Sequence, residues 1–514
     1  MKRPFFNISR SELNQHFETD HLTSDIRGRA IRGGMITFAS QGLGFVVNLS
    51  SMAILARLLL PESFGLIVMV TSLVGFLELF KDAGLSMATV QQEKITHDQI
   101  STLFWLNVGI SALLMLLIAA ISPLVSSFYG EPRLTLLTIA LGAGFVFSGL
   151  SIQHQALLRR QMQYGRLATI QIVSQVAGNG IAIVTAIFGW HYWALVARAL
   201  VTPAVYMLGS WIAMPWRPGM PRRGVGTASM MKFGGYLTAD GFLIYIARNI
   251  DNILIGKFIG PIQTGIYTRS YRLMSLPVTQ LRGPASGVVI PMLSRFQNEP
   301  SQFRIAVLRA SFLLGFILIP LSAVLVLFSR EIILVVLGQD WRAAIPVLRW
   351  LAPVALLPSM TFAVGWQLTA LGKVKRSFQW NLFYVPISII GFIIGLQWGL
   401  IGVAASRTLI SFAAFFPLLL FCLHDTPVGW QMLLRNLWKP FASTIVSAII
   451  VWTVSIWLVH TLSEIRWLLM GIIFYALLYL SIFAILPDGR NDLKFIIESI
   501  KQGLSWKKEA SINE

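Results

Sequence analysis

The chain has 514 residues, of which 55% are hydrophobic and only 12% are charged. Because soluble domains carry roughly 25% charged residues, this composition excludes an ordinary water-soluble enzyme or binding domain and predicts a membrane protein. The single cysteine, Cys422, excludes an internal disulfide and a metal site built from several cysteines.

Apolar runs close to the ~20 residues that cross a bilayer recur along the whole sequence, several of them broken by glycine or proline. The fourteen predicted spans lie near residues 33–56, 62–80, 102–125, 134–153, 167–189, 192–214, 233–256, 262–290, 308–328, 345–371, 378–397, 400–422, 441–460 and 467–486. Residues 1–32 are polar and contain no apolar stretch, so no cleaved signal peptide is predicted. We therefore expect an all-α polytopic membrane protein.

The lysine and arginine residues are distributed unevenly over the predicted loops. The formal net charge of +19 would indicate nucleic-acid binding in a soluble protein. With the amino terminus in the cytoplasm, however, 28 of the 41 basic residues fall in cytoplasmic tails and loops, seven at the outer side and six inside spans. This asymmetry follows the positive-inside rule. Both termini are therefore predicted to be cytoplasmic, and nucleic acid is not a predicted partner.

A short pattern occurs twice, 200 residues apart: ARLLLPESFGLIVM at 56–69 and GKFIGPIQTGIYTR at 256–269. The matched residues are Arg57 and Lys257, Pro61 and Pro261, and Gly65 and Gly265. Since each block of six spans begins and ends in the cytoplasm, the two copies share one orientation. Parallel repeats of this kind form two lobes with a site between them near the midplane. We expect two six-helix lobes and two extra C-terminal helices.

The repeat divides the chain into six segments. They are a cytoplasmic tail at 1–32, an N-lobe at 33–214, a cytoplasmic linker at 215–232, a C-lobe at 233–422, two additional spans within 423–486 and a cytoplasmic tail at 487–514. In the last tail, an amphipathic helix is predicted, which would lie on the membrane surface or contact assembly partners. Its apolar residues are Leu493, Ile496, Ile497, Ile500 and Leu504.

Three stretches carry a resemblance to a known family: ARLLLPESFG after span one, RNIDNILIGKFIGPIQTGIYTRSYRL across spans seven and eight, and GQDWRAAIPVLRWLAP before span ten. With six plus six plus two helices, the sequence resembles the multidrug/oligosaccharidyl-lipid/polysaccharide flippase superfamily over roughly residues 27–486. The resemblance is closer to its polysaccharide transporter branch, the Wzx-type flippases that include colanic acid exporters.

The resemblance implies a transporter rather than an enzyme, without a cofactor, in the bacterial inner membrane. Such a flippase moves undecaprenyl-pyrophosphate-linked oligosaccharide units from the inner to the outer leaflet by alternating access of its lobes. The units serve export as capsule, exopolysaccharide or O-antigen. Membrane lipid, a polysaccharide polymerase and the export machinery are the further partners that the resemblance implies.

Six arginines are predicted inside spans, where charges are costly and normally face a protein interior or a wet cavity. They are Arg198, Arg248, Arg269, Arg272, Arg282 and Arg407. Because arginine offers a planar fork to phosphate oxygens, these side chains are predicted to line a cationic cavity that binds pyrophosphate or an anionic glycan. Other roles stay open. Arg248 could pair with Asp251, and Arg282 could bind a lipid phosphate. Arg198 and Arg407 could reach the outer headgroups.

Other polar residues inside spans are candidates for contacting sugar or for coupling to an ion. The sugar-contacting candidates are Gln41, Asn48, Gln171, Gln175, Asn179, Trp366, Gln367, Trp380, Asn381 and Tyr384. The amides of span five could equally hold helices together, and tryptophan is common at membrane interfaces. Asp240 and Asp251 are ion-coupling candidates, although pairing with nearby arginines explains them as well.

Two other classes of function are alternatives to a flippase. An ion-coupled multidrug antiporter of the same superfamily is expected to hold a carboxylate cluster in its first lobe, but spans one, three, four, five and six contain no acid. A membrane polysaccharide polymerase or ligase is expected to carry a large outer segment, whereas the longest predicted outer loop runs only over roughly 329–344. No catalytic or metal-binding motif appears in the sequence. The composition and motifs therefore favour the flippase.

Overall fold

The computed structural model describes residues 26–82, 85–92, 95–222, 245–246, 248–458 and 463–498. Within these ranges every regular element is a helix, which confirms the predicted all-α fold. The first part of predicted span seven, which includes Asp240, lies outside the described residues. So do residues 1–25 and 499–514, the terminal parts of the two predicted tails.

The chain divides into two compact units, Met1–Thr268 and Arg269–Glu514. The helices of the first unit are α1 (Ile26–Leu58), α2 (Pro61–Val74), α3 (Leu85–Gln91), α4 (His97–Tyr129), α5 (Arg133–Gly142), α6 (Gly144–Arg160), α7 (Tyr164–Ile187), α8 (Tyr192–Ala213) and α9 (248–258). A 3-10 turn, Gly75–Leu79, follows α2 directly. The predicted lobe bounds of 33–214 and 233–422 stay a prediction.

Helix α10 (Pro261–Arg295) begins in the first unit and provides the first helix of the second. The remaining helices are α11 (Pro300–Leu327), α12 (Ala344–Leu351), α13 (Pro358–Ala370), α14 (Val374–Gly395), α15 (Gly399–Leu423), α16 (Trp430–Leu458), α17 (Glu464–Ile485) and α18 (489–498). The predicted amphipathic tail thus begins as a helix. Its Ile496 is buried in a cluster with Phe312 of α11 and Phe483 of α17, so this segment packs on the second unit.

Ten helical segments among the described residues are long and apolar enough to cross a membrane, or eleven if the bent stretch from α12 to α13 counts as one span. The predicted count of fourteen stays a prediction. Predicted spans 378–397 and 400–422 lie in one 50-residue apolar stretch, Val374–Leu423, which a 3-10 turn at Leu396–Trp398 divides. Helix α10 is not among the ten, since its four arginines lower its hydropathy.

The turn that the repeat predicts twice does form twice. Helix α2 begins with Pro61 and helix α10 with Pro261. Proline suits a first helical position, because its missing N–H would have no partner inside the helix. Two residues before each proline, the backbone N–H donates to the carbonyl four residues earlier, at 2.9 Å in the first copy and 2.8 Å in the second. The sequence repeat is therefore also a structural repeat at these hairpins.

Helices α7 and α8 pack closely because glycines lie at their contact. Gly178 of α7 faces Thr202, and Gly209 of α8 faces Ile170, with no room for a side chain at either glycine. Small residues at such crossings let helix backbones approach each other in a membrane. This packing brings polar residues of α7 and α8 to the same side, beside the end of α6.

Candidate functional site

Three of the predicted polar residues meet within the first unit. Arg198 on α8 donates from Nη2 to Oδ1 of Asn48 on α1 at 3.1 Å. Asn48 in turn donates from Nδ2 toward Oε1 of Gln175 on α7, at 3.4 Å. These contacts join three helices, and each polar group restrains the next in a surrounding of low polarity. Arg198 is therefore oriented by a side-chain partner within the first unit, and its contact with phosphate, sugar or outer headgroups stays a prediction.

A polar cavity of about 500 Å³ lies between α6, α7, α8 and the turn after Gly75–Leu79. In the described part of the chain, its lining includes four serine or threonine residues and no carboxylate. The larger polar or charged residues around it are Lys81, Gln155, Arg159, Gln171, Gln175 and Tyr206. This volume lies in the usual range for small-molecule sites. Hydroxyl, amide and cationic groups together suit a ligand that is rich in hydroxyls, anionic, or both.

Two other candidates in the first unit do not line this cavity. Gln41 on α1 is exposed, whereas Asn179 on α7 is 3% exposed. Neither amide atom of Asn179 has a hydrogen-bond partner among the residues that the structure describes. The predicted contacts of both residues with sugar stay predictions.

Helix α10 carries three of the predicted arginines in three different environments. Arg269 is 9% exposed, Arg272 is half-buried and Arg282 is exposed. The guanidinium of Arg282 lies 5.5 Å from the ring centroid of Phe362 on α13, within cation–π range. The positive charge of Arg269 is therefore well shielded from solvent, while that of Arg282 remains accessible.

Arg407 on α15 is oriented by aromatic neighbours within the second unit. Its Nη2 donates to the hydroxyl of Tyr271 at 3.1 Å. The guanidinium carbon lies 4.8 Å from the ring centroid of Tyr271 and 5.9 Å from that of Phe392. These contacts hold the side chain against α10 and α14.

Two aromatic or amide candidates of the second unit are occupied by protein partners. Trp366 is 2% exposed and donates from Nε1 to the hydroxyl of Ser286 at 2.9 Å. Gln367 is fully buried, and its amide accepts from the backbone N–H of Val428 at 3.2 Å and donates to its carbonyl at 3.4 Å. In this structure both side chains serve packing, and their contact with sugar stays a prediction.

The remaining candidates on α14 are more accessible. Trp380 and Tyr384 stack with a centroid distance of 6.3 Å and an interplanar angle of 19°. Asn381, between them in sequence, is half-buried, as are both aromatic residues. A pair of flat rings beside an amide is a suitable platform for a sugar ring.

The acidic candidates lie at or near α9. Asp251 is 2% exposed and accepts a hydrogen bond from the hydroxyl of Tyr267 at 2.8 Å. The N–H of Asn252 donates to the same carboxylate at 2.9 Å. Arg248 is exposed, and Asp240 lies outside the described residues. The structure thus gives Asp251 a hydrogen-bonding role, and its part in ion coupling stays a prediction.

Four of the larger polar or charged residues around the cavity received no role from the sequence: Lys81, Gln155, Arg159 and Tyr206. The positive-inside rule already explains basic residues at span ends, including Lys81 and Arg159. Their charge therefore did not indicate a binding site. A periodic signal was nevertheless present. Gln155 and Arg159 are four residues apart on α6, as Gln171 and Gln175 are on α7, and residues at this spacing share one helix face.

In the part of the chain that the structure describes, no group of three or more histidine, cysteine, aspartate or glutamate residues could hold a metal ion. The fold and cavity define the class of protein: a multi-pass helical membrane protein with a polar internal site. The family follows from the sequence. Residues 54–346 match the family model described as polysaccharide biosynthesis protein. This match covers more than half of the chain, which therefore belongs to that family.

Individual relatives and one solved structure agree with this assignment. The lipopolysaccharide biosynthesis protein WzxC of Escherichia coli (strain K12) is 27% identical over 413 residues, or 78% of this chain and 81% of WzxC. The teichuronic acid biosynthesis protein TuaB of Bacillus subtilis (strain 168) is 27% identical over 384 residues, or 74% of this chain and 80% of TuaB.

The lipid II flippase MurJ, in an inward closed conformation, has the same fold with a TM-score of 0.71. It shares 17% identity over 88% of this chain and 98% of MurJ. The predicted superfamily and its polysaccharide branch are confirmed.

Proposed function

We propose that this protein is a flippase that moves a lipid-linked oligosaccharide across the membrane for polysaccharide export. The observation that carries the proposal is the polar cavity of about 500 Å³ among helices that are apolar enough to span a bilayer. A glycan in water forms hydrogen bonds with the solvent, and it cannot cross hydrocarbon unless protein groups provide hydrogen bonds in place of those. A lipid tail needs no such replacement and can stay in the bilayer while the sugars pass through the protein.

The lipid carrier that we propose is undecaprenyl pyrophosphate. Arg269, Arg272 and Arg407 would hold its phosphates, with Arg248, Arg282 and Arg198 as further cations near the path. The support for this role is physical: a guanidinium stays charged, matches phosphate oxygens with two parallel donors, and gains attraction where solvent is excluded. Arg269, at 9% exposure, is the best shielded of these charges that the structure describes.

The proposed mechanism is alternating access. The site would first be open to the cytoplasm, take up the pyrophosphate and sugars, and then open outward as the two predicted lobes rock. Helix α10 contains Pro277, Pro284 and Pro291 inside its length, and proline in a helix interior removes a hydrogen bond and allows bending. The protein would lie in the bacterial inner membrane with both termini cytoplasmic, and would deliver units to a polymerase and the export machinery.

The test is lipid mass spectrometry on cells that lack this protein but retain the downstream polymer genes. We expect one complete undecaprenyl-pyrophosphate oligosaccharide to accumulate and the exported polymer to disappear. An unchanged lipid-linked pool, together with new sensitivity to cationic drugs, would instead support the multidrug antiporter.

The same cells test the arginines by complementation. A variant with Arg269→Ala and Arg272→Ala should restore at most about one tenth of export, because hydrogen bonds to charged groups contribute about 1.5–3 kcal/mol each. Arg295→Ala, at the exposed C-terminal end of the same helix, is the control and should export normally at equal protein level. Wild-type export by the double variant would remove these residues from the pyrophosphate site.

A further inference from the structure

Two cations lie on the wall of the polar cavity, close to the ends of their elements. Lys81 follows the 3-10 turn Gly75–Leu79, and Arg159 lies in the last turn of α6. Among the residues that the structure describes, the lining contains no carboxylate. Glu78 approaches Lys81 only to 3.9 Å and its side chain is 62% exposed, so solvent screens this pair. The cavity wall therefore carries net positive charge.

A buried network holds the backbone of Lys81 in place. Asn107 on α4 donates from Nδ2 to the Lys81 carbonyl at 3.2 Å. Its Oδ1 accepts from Gln153 at 2.8 Å, and the Oε1 of Gln153 accepts from the hydroxyl of Thr89 on α3 at 2.8 Å. All three polar side chains are fully buried. Buried networks whose members satisfy one another are rigid, so the lysine projects from a fixed point.

The other side chains around the cavity are of the kind that binds sugar hydroxyls. Gln155, Gln171 and Gln175 each offer both an amide donor and an acceptor, and Tyr206 offers a phenol hydroxyl. Gln155 is oriented by a hydrogen bond of 2.8 Å from Nε2 to Ser151. To bind a neutral sugar, the cavity would need only these amide and hydroxyl groups. Two cations, of which Lys81 has only the solvent-screened Glu78 as a carboxylate partner, add recognition of an oxyanion attached to the sugar.

We propose that this cavity binds an acidic sugar of the transported oligosaccharide, with its carboxylate held by Lys81 and Arg159. The inference rests on the proposed flippase function and specifies its substrate class as an acidic glycan. The guanidinium of Arg159 matches a carboxylate with two parallel donors, and the Lys81 ammonium adds a point charge. The pyrophosphate of the carrier has the same oxyanion chemistry, and the two sources are separated by experiment.

The experiment measures binding by isothermal titration calorimetry to the full-length protein purified in detergent. The three probes are trigalacturonate, the neutral trisaccharide maltotriose and inorganic pyrophosphate. We expect trigalacturonate to bind at least ten-fold more tightly than maltotriose. Lys81→Met with Arg159→Gln should abolish this preference and leave maltotriose binding unchanged. Arg166→Gln is the matched control, because Arg166 lies on α7 outside the cavity lining.

Circular dichroism and the unfolding temperature check that each variant is folded, and the single variants Lys81→Met and Arg159→Gln replace the double variant if it is not. Equal binding of the two trisaccharides to wild type, or an unchanged preference in the variants, would overturn the proposal. So would binding of pyrophosphate that the variants lose while trigalacturonate does not bind. If these results came with accumulated lipid-linked oligosaccharide in deletion cells, the flippase function would stand and only the acidic-sugar site would fail.

Discussion

Glu331 is a carboxylic acid in an unusual place. It lies in the short helical turn Ser329–Ile332 after α11, and it is only 6% exposed. Burial raises the pKa of Glu331, with a smaller contribution from Glu464, while Arg330 and Arg349 act in the opposite direction. The folded state binds the Glu331 proton more tightly than the unfolded state does. The contribution of this proton to stability is therefore fully present below the unfolded pKa of about 4.3, and it is lost as the pH rises through the folded pKa.

We therefore predict that Glu331→Gln raises the unfolding temperature at pH 8 and has no such effect at pH 4. The glutamine has a similar shape but never carries the buried charge. Thermal unfolding in detergent, followed by tryptophan fluorescence at both pH values, is the measurement. Glu299→Gln, at an exposed glutamate before α11, should unfold like wild type. A pH-independent gain in the Glu331 variant would show that charge burial is not the cause.

At the scale of single residues, the sequence predicted which polar residues lie inside spans, but it did not predict their hydrogen-bond partners. Asn48, Gln175 and Arg198 were each singled out, and they do meet through side-chain hydrogen bonds. Gln367 was chosen for the same reason, yet its amide pairs with the backbone of a neighbouring loop. Lys81 was passed over because topology explained its charge. A sequence shows that an amide is in a membrane, but only the packed helices show what it faces.

Helices α2 and α10 approach each other unusually closely within the first unit. A Cβ atom built on Gly65 would lie 1.7 Å from the Pro261 carbonyl oxygen, and one on Gly265 would lie 1.9 Å from the Pro61 carbonyl oxygen. The two repeat hairpins thus contact each other reciprocally, glycine against proline. Glycine at these two positions is required by the approach of the backbones, which explains why the repeat preserves it.

Gly65→Ala should destabilise the protein by about 1–3 kcal/mol, since overpacking forces the backbone to shift. The matched control is Gly180→Ala on α7, where a Cβ would meet nothing within 4 Å. Alanine there should be neutral or stabilising, by up to about 1 kcal/mol, as it favours a helix over glycine. Unfolding by SDS titration in mixed micelles compares the two. Equal stability of both variants would mean that α2 and α10 can move apart without a decrease in the free energy of unfolding.

At the scale of elements, helix existence was predictable and helix count was not. Apolar runs located the helices from α1 to α17 that the structure describes, except the short α3, which lies between two predicted spans. A span needs a minimum length of low polarity, and α3 is too short to have it. Hydropathy alone leaves α10 out, since arginines interrupt it. It also joins α14 and α15, because the three-residue turn between them is short and carries no charged residue. The predicted spans 262–290, 378–397 and 400–422 were separated instead by the glycine and proline residues that break the apolar runs, and their crossing of the membrane stays a prediction.

The whole molecule carries its positive charge asymmetrically, and this asymmetry makes a topology prediction. With 28 of 41 basic residues on one side, the positive-inside rule places that side in the cytoplasm. An even number of spans then returns the C-terminal tail to the same side. The single cysteine allows a direct test, because Cys422→Ser yields a background without thiols. Single cysteines can then be placed at Gln339, Lys375 and Ser505.

In intact spheroplasts, a membrane-impermeant maleimide should label the cysteine at position 339, which is exposed and lies in the longest predicted outer loop, and neither of the others. Permeabilisation should expose positions 375 and 505 to at least ten times more labelling, because an intact bilayer excludes a charged reagent. Each variant must first restore polymer export, so that only native topologies are compared. Labelling of position 505 in intact spheroplasts would require an odd number of spans. The fourteen-span arrangement would then have to be abandoned. The parallel repeat would be unaffected if the change lay in the two additional spans, because both six-helix blocks end before residue 423.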